Sequence, residues 1–238
     1  MLRLAAGSIV EVFDDAGATA RGVFLPESAG TAAVRVEAID APIQSGRLQW
    51  TVAAAVPKGD RADWMVEKLS ELGATAFIPL AAARSVVLPE GRGKRDRWMR
   101  IATESAKQSR RSGVMQIAEL TSLDAAIDSV AARIRQSEPM AGGWVFATET
   151  KGMTAKDAID AAGKLASLTL FIGPEGGWTP AELAAFGAAG ITTVRLGESI
   201  LRIETAAIAA GALVATLLCG EGPPLDGGAA CSDDSIDG

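Results

Sequence analysis

The feature that most constrains the fold is a change of hydrophobic period near Leu48. Before it, apolar and polar residues alternate in short runs (residues 8–13, 18–25 and 32–39) separated by turn signals such as Asp14-Asp15-Ala16-Gly17. That is strand periodicity, and it predicts a small antiparallel β unit over residues 1–47. After it, compact apolar runs (residues 48–56, 76–80, 116–120, 144–147, 168–172 and 193–196) alternate with helical patterns. Strands alternating with helices predict an α/β fold with a mostly parallel sheet and helices on both faces, over residues 48–220. Helices are expected after Asp60, over 94–109, after Ser122, over 154–162, after Thr179-Pro180-Ala181-Glu182 (a capping box with proline at its first position) and over 204–218. The remaining residues, 221–238, read as a disordered acidic tail.

In such sheets a ligand sits beyond the carboxyl ends of the strands, which points to the loops after Ala147, Ile172 and Leu196. The chemistry there is narrowed by one absence: the 238 residues contain no histidine. That excludes Ser-His-Asp and Cys-His machinery and His-ligated zinc. The two cysteines, Cys219 and Cys231, give neither a disulfide framework nor metal-ligand spacing, so no metal is expected. There is no run of eighteen apolar residues and no signal-peptide pattern at the start, so no membrane partner and a cytoplasmic location are expected.

Net charge is −6, which by itself opposes a polyanionic partner, but the charge is unevenly spread. From Arg84 to Arg111 nine basic residues face three acidic ones, while residues 221–238 hold five acids and no base. A polyanion responds to the field within about 10 Å, so the basic stretch matters more than the total. Such a run also suits a solvated helix face, and Arg110-Arg111 also suits the dipole at a helix C-terminus.

Two segments carry candidate chemistry. Ile172-Gly173-Pro174-Glu175-Gly176-Gly177-Trp178 is a glycine-rich loop between a buried strand and a capped helix. It has neither the G-x-G-x-x-G spacing nor a Gly-Lys-Ser/Thr ending, and Glu175 would repel phosphate, so a neutral or cationic ligand fits it better. A tight strand-to-helix turn with no ligand is the other reading. The second segment, Leu196-Gly197-Glu198-Ser199-Ile200-Leu201-Arg202-Ile203-Glu204-Thr205, crowds apolar and charged residues before a helix, so it is expected to be packed. Burying Arg202 and Glu204 calls for mutual pairing or a ligand.

Taken together, Pro57-Lys58-Gly59-Asp60, Glu71-Leu72-Gly73, Ile78-Pro79-Leu80 with Arg84-Ser85, Arg97-Trp98 with Gln108 and Arg110-Arg111, and the segments 172–177 and 196–206 resemble the RsmE family of 16S rRNA methyltransferases. That family lies in the SPOUT (α/β knot) superfamily, and the likeness runs from about Leu2 to Leu218.

The resemblance implies S-adenosyl-L-methionine as methyl donor, N3 of a uridine in the small ribosomal subunit as acceptor, and a homodimer whose second subunit completes the site. It implies a trefoil-knotted C-terminal domain and a PUA-like N-terminal β-barrel that helps bind RNA. By carry-over the donor pocket is Thr148, Glu149, Gly173, Pro174, Glu175, Gly176, Leu196, Gly197, Ile200, Leu201, Glu204 and Thr205. RNA contacts fall to Arg84, Arg97, Gln108, Arg110 and Arg111.

Without histidine, Glu175 is the candidate proton acceptor and Arg202 the candidate stabiliser of charge on the uracil oxygens. Members of the family carry a further strand and basic run ahead of the position matching Leu2-Arg3-Leu4, so an upstream start or an incomplete barrel is expected; the acidic tail also departs from the pattern. Two rivals remain open. A SPOUT ribose 2′-O-methyltransferase would carry an Asn-x-x-x-Arg motif and a Ser-Leu-Asn helix, neither of which is present. An inactive ribosome-assembly factor would bind RNA without the donor.

Overall fold

The computed structural model describes residues 4–14, 18–26, 31–40, 48–89, 91–109, 111, 113–136, 140–147 and 152–217. The expected tail, 221–238, lies outside the described residues.

Strands β1 (Ile9–Phe13), β2 (Thr19–Pro26) and β3 (Ala32–Asp40) pair antiparallel in chain order. The register slips at Arg21/Gly22, where a Cβ on Gly22 would stand 2.4 Å from the Arg35 carbonyl oxygen, so only glycine fits. This sheet buries little: Ile9 and Ile39 are about three-quarters exposed, while Phe13 packs against the core of the larger unit.

That larger unit holds β4 (Gln49–Ala54), α1 (Arg61–Glu71), β5 (Ala76–Ala81), α2 (Arg92–Gln108), β6 (Gln116–Ile117), β7 (Thr121–Ser122), α3 (Leu123–Arg135), β8 (Ala141–Phe146), β9 (Met153–Thr154), α4 (Ala155–Ala162), β10 (Ser167–Ile172), α5 (Pro180–Ala188), β11 (Thr192–Arg195) and α6 (Ile203–Leu217). Among the described residues the sheet runs β6-β5-β4-β10-β8-β11-β9, with β7 paired to β5, and the pairings are parallel.

β10 is buried along its whole length because both its faces are covered. Leu168, Leu170 and Ile172 point into a core shared with α1, α2 and α6, whereas Phe171 points to the side of α3 and α5. Each such side chain contributes roughly 1.5–3 kcal/mol on burial. The small residues of α6 let it lie tight against β4. A Cβ on Gly211 would be 3.0 Å from the Trp50 ring, and Ala207 and Ala210 beside it are fully buried.

Three local expectations need correction. The strand expected over 116–120 forms only at Gln116–Ile117, and a second short piece, Thr121–Ser122, lies past its expected end. The Thr75 and Phe77 carbonyls accept from Gln116 and Ala118, but the next donor on that edge of β5 would be Pro79, which has no N–H. β8 begins at Ala141, before Trp144, because Gly142 and Gly143 disguise a buried strand. A Cβ on Gly143 would meet Ile191 and Val130 at 3.0 Å. Finally, Asp60 stands at the start of α1 in a helical conformation and makes no side-chain cap. The caps expected at Ser122 and Thr179 are both formed.

Candidate functional site

The carboxyl ends of β8, β10 and β11 lie side by side, with Ile172 opposite Phe146 and Val194 opposite Phe146. The turn after β10 and the segment after β11 therefore converge on one hollow of about 160 Å3. Gly173, Pro174, Glu175, Gly176, Leu196, Ile200 and Leu201, all expected at the site, line it. Thr148, Glu149 and Arg110 lie outside the described residues. Gly197 is exposed and does not reach the lining, Thr205 is exposed on the first turn of α6, and Glu204 is buried behind the wall.

The turn after β10 is shaped by a residue that sequence reading missed. Trp178 lies beneath Gly173, where an added Cβ would sit 2.9 Å from the ring, and its Nε1–H donates to the Phe146 carbonyl at 3.0 Å. The indole stacks edge-on against Phe186, with centroids 5.0 Å apart. Downstream, the Thr179 hydroxyl accepts from the Glu182 amide, and Glu182 accepts from the Thr179 amide at 2.6 Å. Glu182 also accepts from the Ala83 amide at 2.9 Å, tying this turn to the segment after β5. Burial alone would push the Glu182 carboxyl up, but the Thr179 and Ala83 amides and nearby Arg84 together hold it below the usual carboxylate range.

The segment after β11 is less enclosed than expected. Ile203 is buried and Leu201 half-buried, but Ile200 is 77 % exposed and Arg202 is exposed. Ile200 edges the hollow with one flank only, and nothing in the described fold covers the other. Arg202 and Glu204 were expected either to pair or to meet a ligand. Instead Glu204 Oε1 accepts from Arg61 Nη1 at 3.3 Å, while Arg61 Nη2 stands 3.7 Å from Glu175. Arg61 carried no sequence signal beyond its place after Pro57-Lys58-Gly59-Asp60.

The basic stretch divides. Arg84 is exposed, and its Nη1 donates to the Gly176 carbonyl at 2.6 Å, so one of the expected RNA contacts is bonded to the glycine-rich turn. Arg97, 61 % exposed, pairs with Asp63, and Gln108 is exposed at the end of α2. Arg111 is different: its guanidinium donates to the Ser70 carbonyl at 3.1 Å, and burial lowers its pKa to about 10. It remains charged at neutral pH and helps join α1 to the end of α2.

The chain is similar in sequence and fold to known proteins. A family model described as an RNA methyltransferase domain matches residues 44–215. Ribosomal RNA small subunit methyltransferase E of Mycobacterium bovis is 34 % identical over 217 residues, covering 89 % of this chain and 79 % of that protein. The protein of the same name from Bacillus subtilis is 36 % identical over 159 residues, 65 % of this chain, and the match spans 60 % of that relative's length. Among solved structures, ribosomal RNA small subunit methyltransferase E from Neisseria gonorrhoeae bound to S-adenosyl methionine superposes with a TM-score of 0.74 at 25 % identity, covering 90 % of this chain and 85 % of that one. A probable rRNA-methyltransferase from Porphyromonas gingivalis gives 0.75 at 28 % identity, covering 90 % and 87 %. With a family model spanning most of its length and relatives of this similarity, the chain belongs to the RNA methyltransferase family that includes ribosomal RNA small subunit methyltransferase E.

Proposed function

We propose that this protein transfers a methyl group from S-adenosyl-L-methionine to N3 of a uridine in 16S rRNA of the small ribosomal subunit. The observation that carries the reading is the convergence of the two turns after β10 and β11 on one hollow at the carboxyl ends of the strands.

The residues present fit the donor. Gly173 and Gly176 bring main chain to the wall, while Ile172, Leu196 and Leu201 supply apolar surface for an aromatic base. Glu175 and Glu204 place carboxylates near a ligand that carries a sulfonium, and Glu204 Oε2 is buried without a hydrogen-bond partner among the described residues. The hollow is small beside ordinary ligand pockets of several hundred Å3, so it houses one end of the donor. We also assign Thr148 and Glu149, which lie outside the described residues, to the donor site, and a second subunit to the exposed side of Ile200. Gly197 and Thr205 flank the pocket from the two ends of its second wall.

When bound, the donor supplies an electrophilic methyl group. The chain's own task is to hold the uracil ring in line with it and to remove the N3 proton. We assign the proton to the Glu175 carboxylate and the stabilisation of negative charge on the uracil oxygens to Arg202; both are exposed, Glu175 in the lining of the hollow and Arg202 outside it, between the lining residues Leu201 and Ile203. We assign the RNA contacts to Arg84, Arg97, Gln108, Arg110 and Arg111. Arg84 couples those contacts to the donor turn through Gly176, and Arg111 contributes through its hold on α1.

The division into an RNA-contacting unit over 1–47, a catalytic unit over 48–220 and a tail over 221–238 belongs to the same reading. So do the PUA-like barrel, which would close over the exposed face of β1–β3, and a cytoplasmic site of action. A trefoil knot is supported by the path of the chain. β11 lies beyond β8, yet α6, which follows it, packs on α1, β4 and β10, so residues 196–202 must recross the carboxyl ends of β8 and β10.

The test is methylation of small ribosomal subunits from a strain lacking this modification, followed by mass spectrometry of the digested nucleosides. The reading expects 3-methyluridine; a 2′-O-methylated nucleoside, or donor-independent RNA binding without product, overturns it.

A further inference from the structure

We infer that Arg61 is a positioning residue of the donor site, a latch that holds the two pocket turns together and sets the charge beside the ligand; this rests on the donor reading above. α1 starts just past the carboxyl end of β4, and β4 is the parallel neighbour of β10, with the Ala55 amide donating to the Ile172 carbonyl at 3.0 Å. The first residue of α1 therefore stands beside the turn that follows β10. Its guanidinium reaches Glu175 Oε1 on that turn (3.7 Å) and Glu204 Oε1 at the start of α6 (3.3 Å). The carboxylates belong to the two separate segments that wall the hollow, and a planar fork with several donors spans both where an ammonium would satisfy only one.

The two contacts differ in kind. Glu175 is half-exposed, so its pairing is screened and mainly orients the side chain. Glu204 is 4 % exposed and its Oε2 has no hydrogen-bond partner among the described residues, so Arg61 is the cation that makes this buried carboxylate tolerable. Within this trio, two carboxylates and one guanidinium leave an excess of one negative charge. That balance favours a cationic donor, and it also limits how strongly the donor is preferred over its neutral product.

The charge balance separates a latch from a residue that merely packs. Affinities for S-adenosylmethionine and for S-adenosylhomocysteine are measured by calorimetry on the full chain, with thermal melting of the ligand-free protein alongside. In Arg61→Met both affinities fall, that for the neutral product by about ten-fold and that for the cationic donor by about three-fold, because the exposed excess of negative charge partly offsets the loosened turns. Arg61→Lys keeps the wild-type ratio with both affinities partly restored. Arg61→Met can fail to fold because it strands Glu204, so Arg61→Met combined with Glu204→Gln is measured as well. It removes both charges, restores melting, and returns the donor-to-product ratio to the wild-type value while both affinities stay lowered.

An equal fall in the two affinities, wild-type affinities in Arg61→Met, or a ratio that stays raised in the double variant each overturns the proposal. A wild-type protein that binds neither compound defeats the donor reading itself, and the latch with it.

Discussion

The two turns that wall the hollow are built in opposite ways. The turn after β10 is fixed by its own chain: the Gly177 amide closes it by donating a hydrogen bond to the Pro174 carbonyl at 2.8 Å, Trp178 fills its underside, and a full capping box anchors its exit. The segment after β11 is anchored at its downstream end, where Ile203 is buried and the Arg202 carbonyl accepts from Ala206 at 2.8 Å, while Glu198, Ser199 and Ile200 stand exposed. One wall is preorganised before any ligand arrives, the condition for precise positioning. The other presents apolar surface to whatever settles on it.

If that contrast holds, substitutions in the first wall act on folding and binding together. The largest effect is expected for Trp178→Ala, which removes a buried ring packed on Phe186 and the donor to the Phe146 carbonyl. Urea denaturation should show a loss of about 3–5 kcal/mol, with donor affinity lost in the folded fraction. A loss under about 1 kcal/mol would mean that the turn holds its shape without the indole. Gly173→Ala comes next, since its methyl would meet the ring at 2.9 Å. Either the turn or the indole must move, so a cost of about 1–3 kcal/mol is expected, with donor affinity falling at least ten-fold at roughly that scale. Unchanged calorimetric binding would place the donor away from this wall.

A smaller effect is expected at the exit of the same turn. Glu182→Ala removes the acceptor for the Thr179 and Ala83 amides and should cost about 1 kcal/mol at pH 7. The sign with pH follows from the depressed carboxyl. Below its ordinary pKa of 4.5, the unfolded chain takes up a proton that the folded chain refuses. The stabilisation is thus fully present above about pH 4.5 and lost as pH falls through the lower, folded pKa. Wild type and variant melting curves should therefore draw together in acid; a gap that persists there would remove Glu182's charge from the account.

How much of this was legible follows the same division. The parallel sheet, its buried central strand and the Thr179 cap were readable because apolar runs, helical spacing and capping residues are local signals. The glycine-rich turn between that strand and the capped helix was readable for the same reason. The role of Trp178 was not, although it is the last residue of that loop, because a tryptophan in a sequence does not say which backbone it will lie under. Arg61 was invisible for a related reason: its partners are 114 and 143 positions away, and only the β4–β10 pairing brings them together. The exposure of Ile200 ran against the composition of its segment, since three apolar residues within four positions suggest burial. Burial there depends on a surface that these elements do not themselves provide.

The smallest effect is also the sharpest check on the contrast. Gly197 sits on the open wall, its φ outside the left-handed region, and a Cβ there would meet nothing within 4 Å. By the logic that condemns Gly173→Ala, Gly197→Ala is free of clash, and alanine narrows the unfolded ensemble, so stability should rise by about 0.5 kcal/mol. Donor affinity should stay within about two-fold, a change near 0.4 kcal/mol. If Gly197→Ala instead lowers affinity as strongly as Gly173→Ala while the ligand-free protein melts normally, main chain at 197 must approach the donor closely. The second wall would then close on its ligand as tightly as the first, and the asymmetry between the two turns would be a property of the free protein alone.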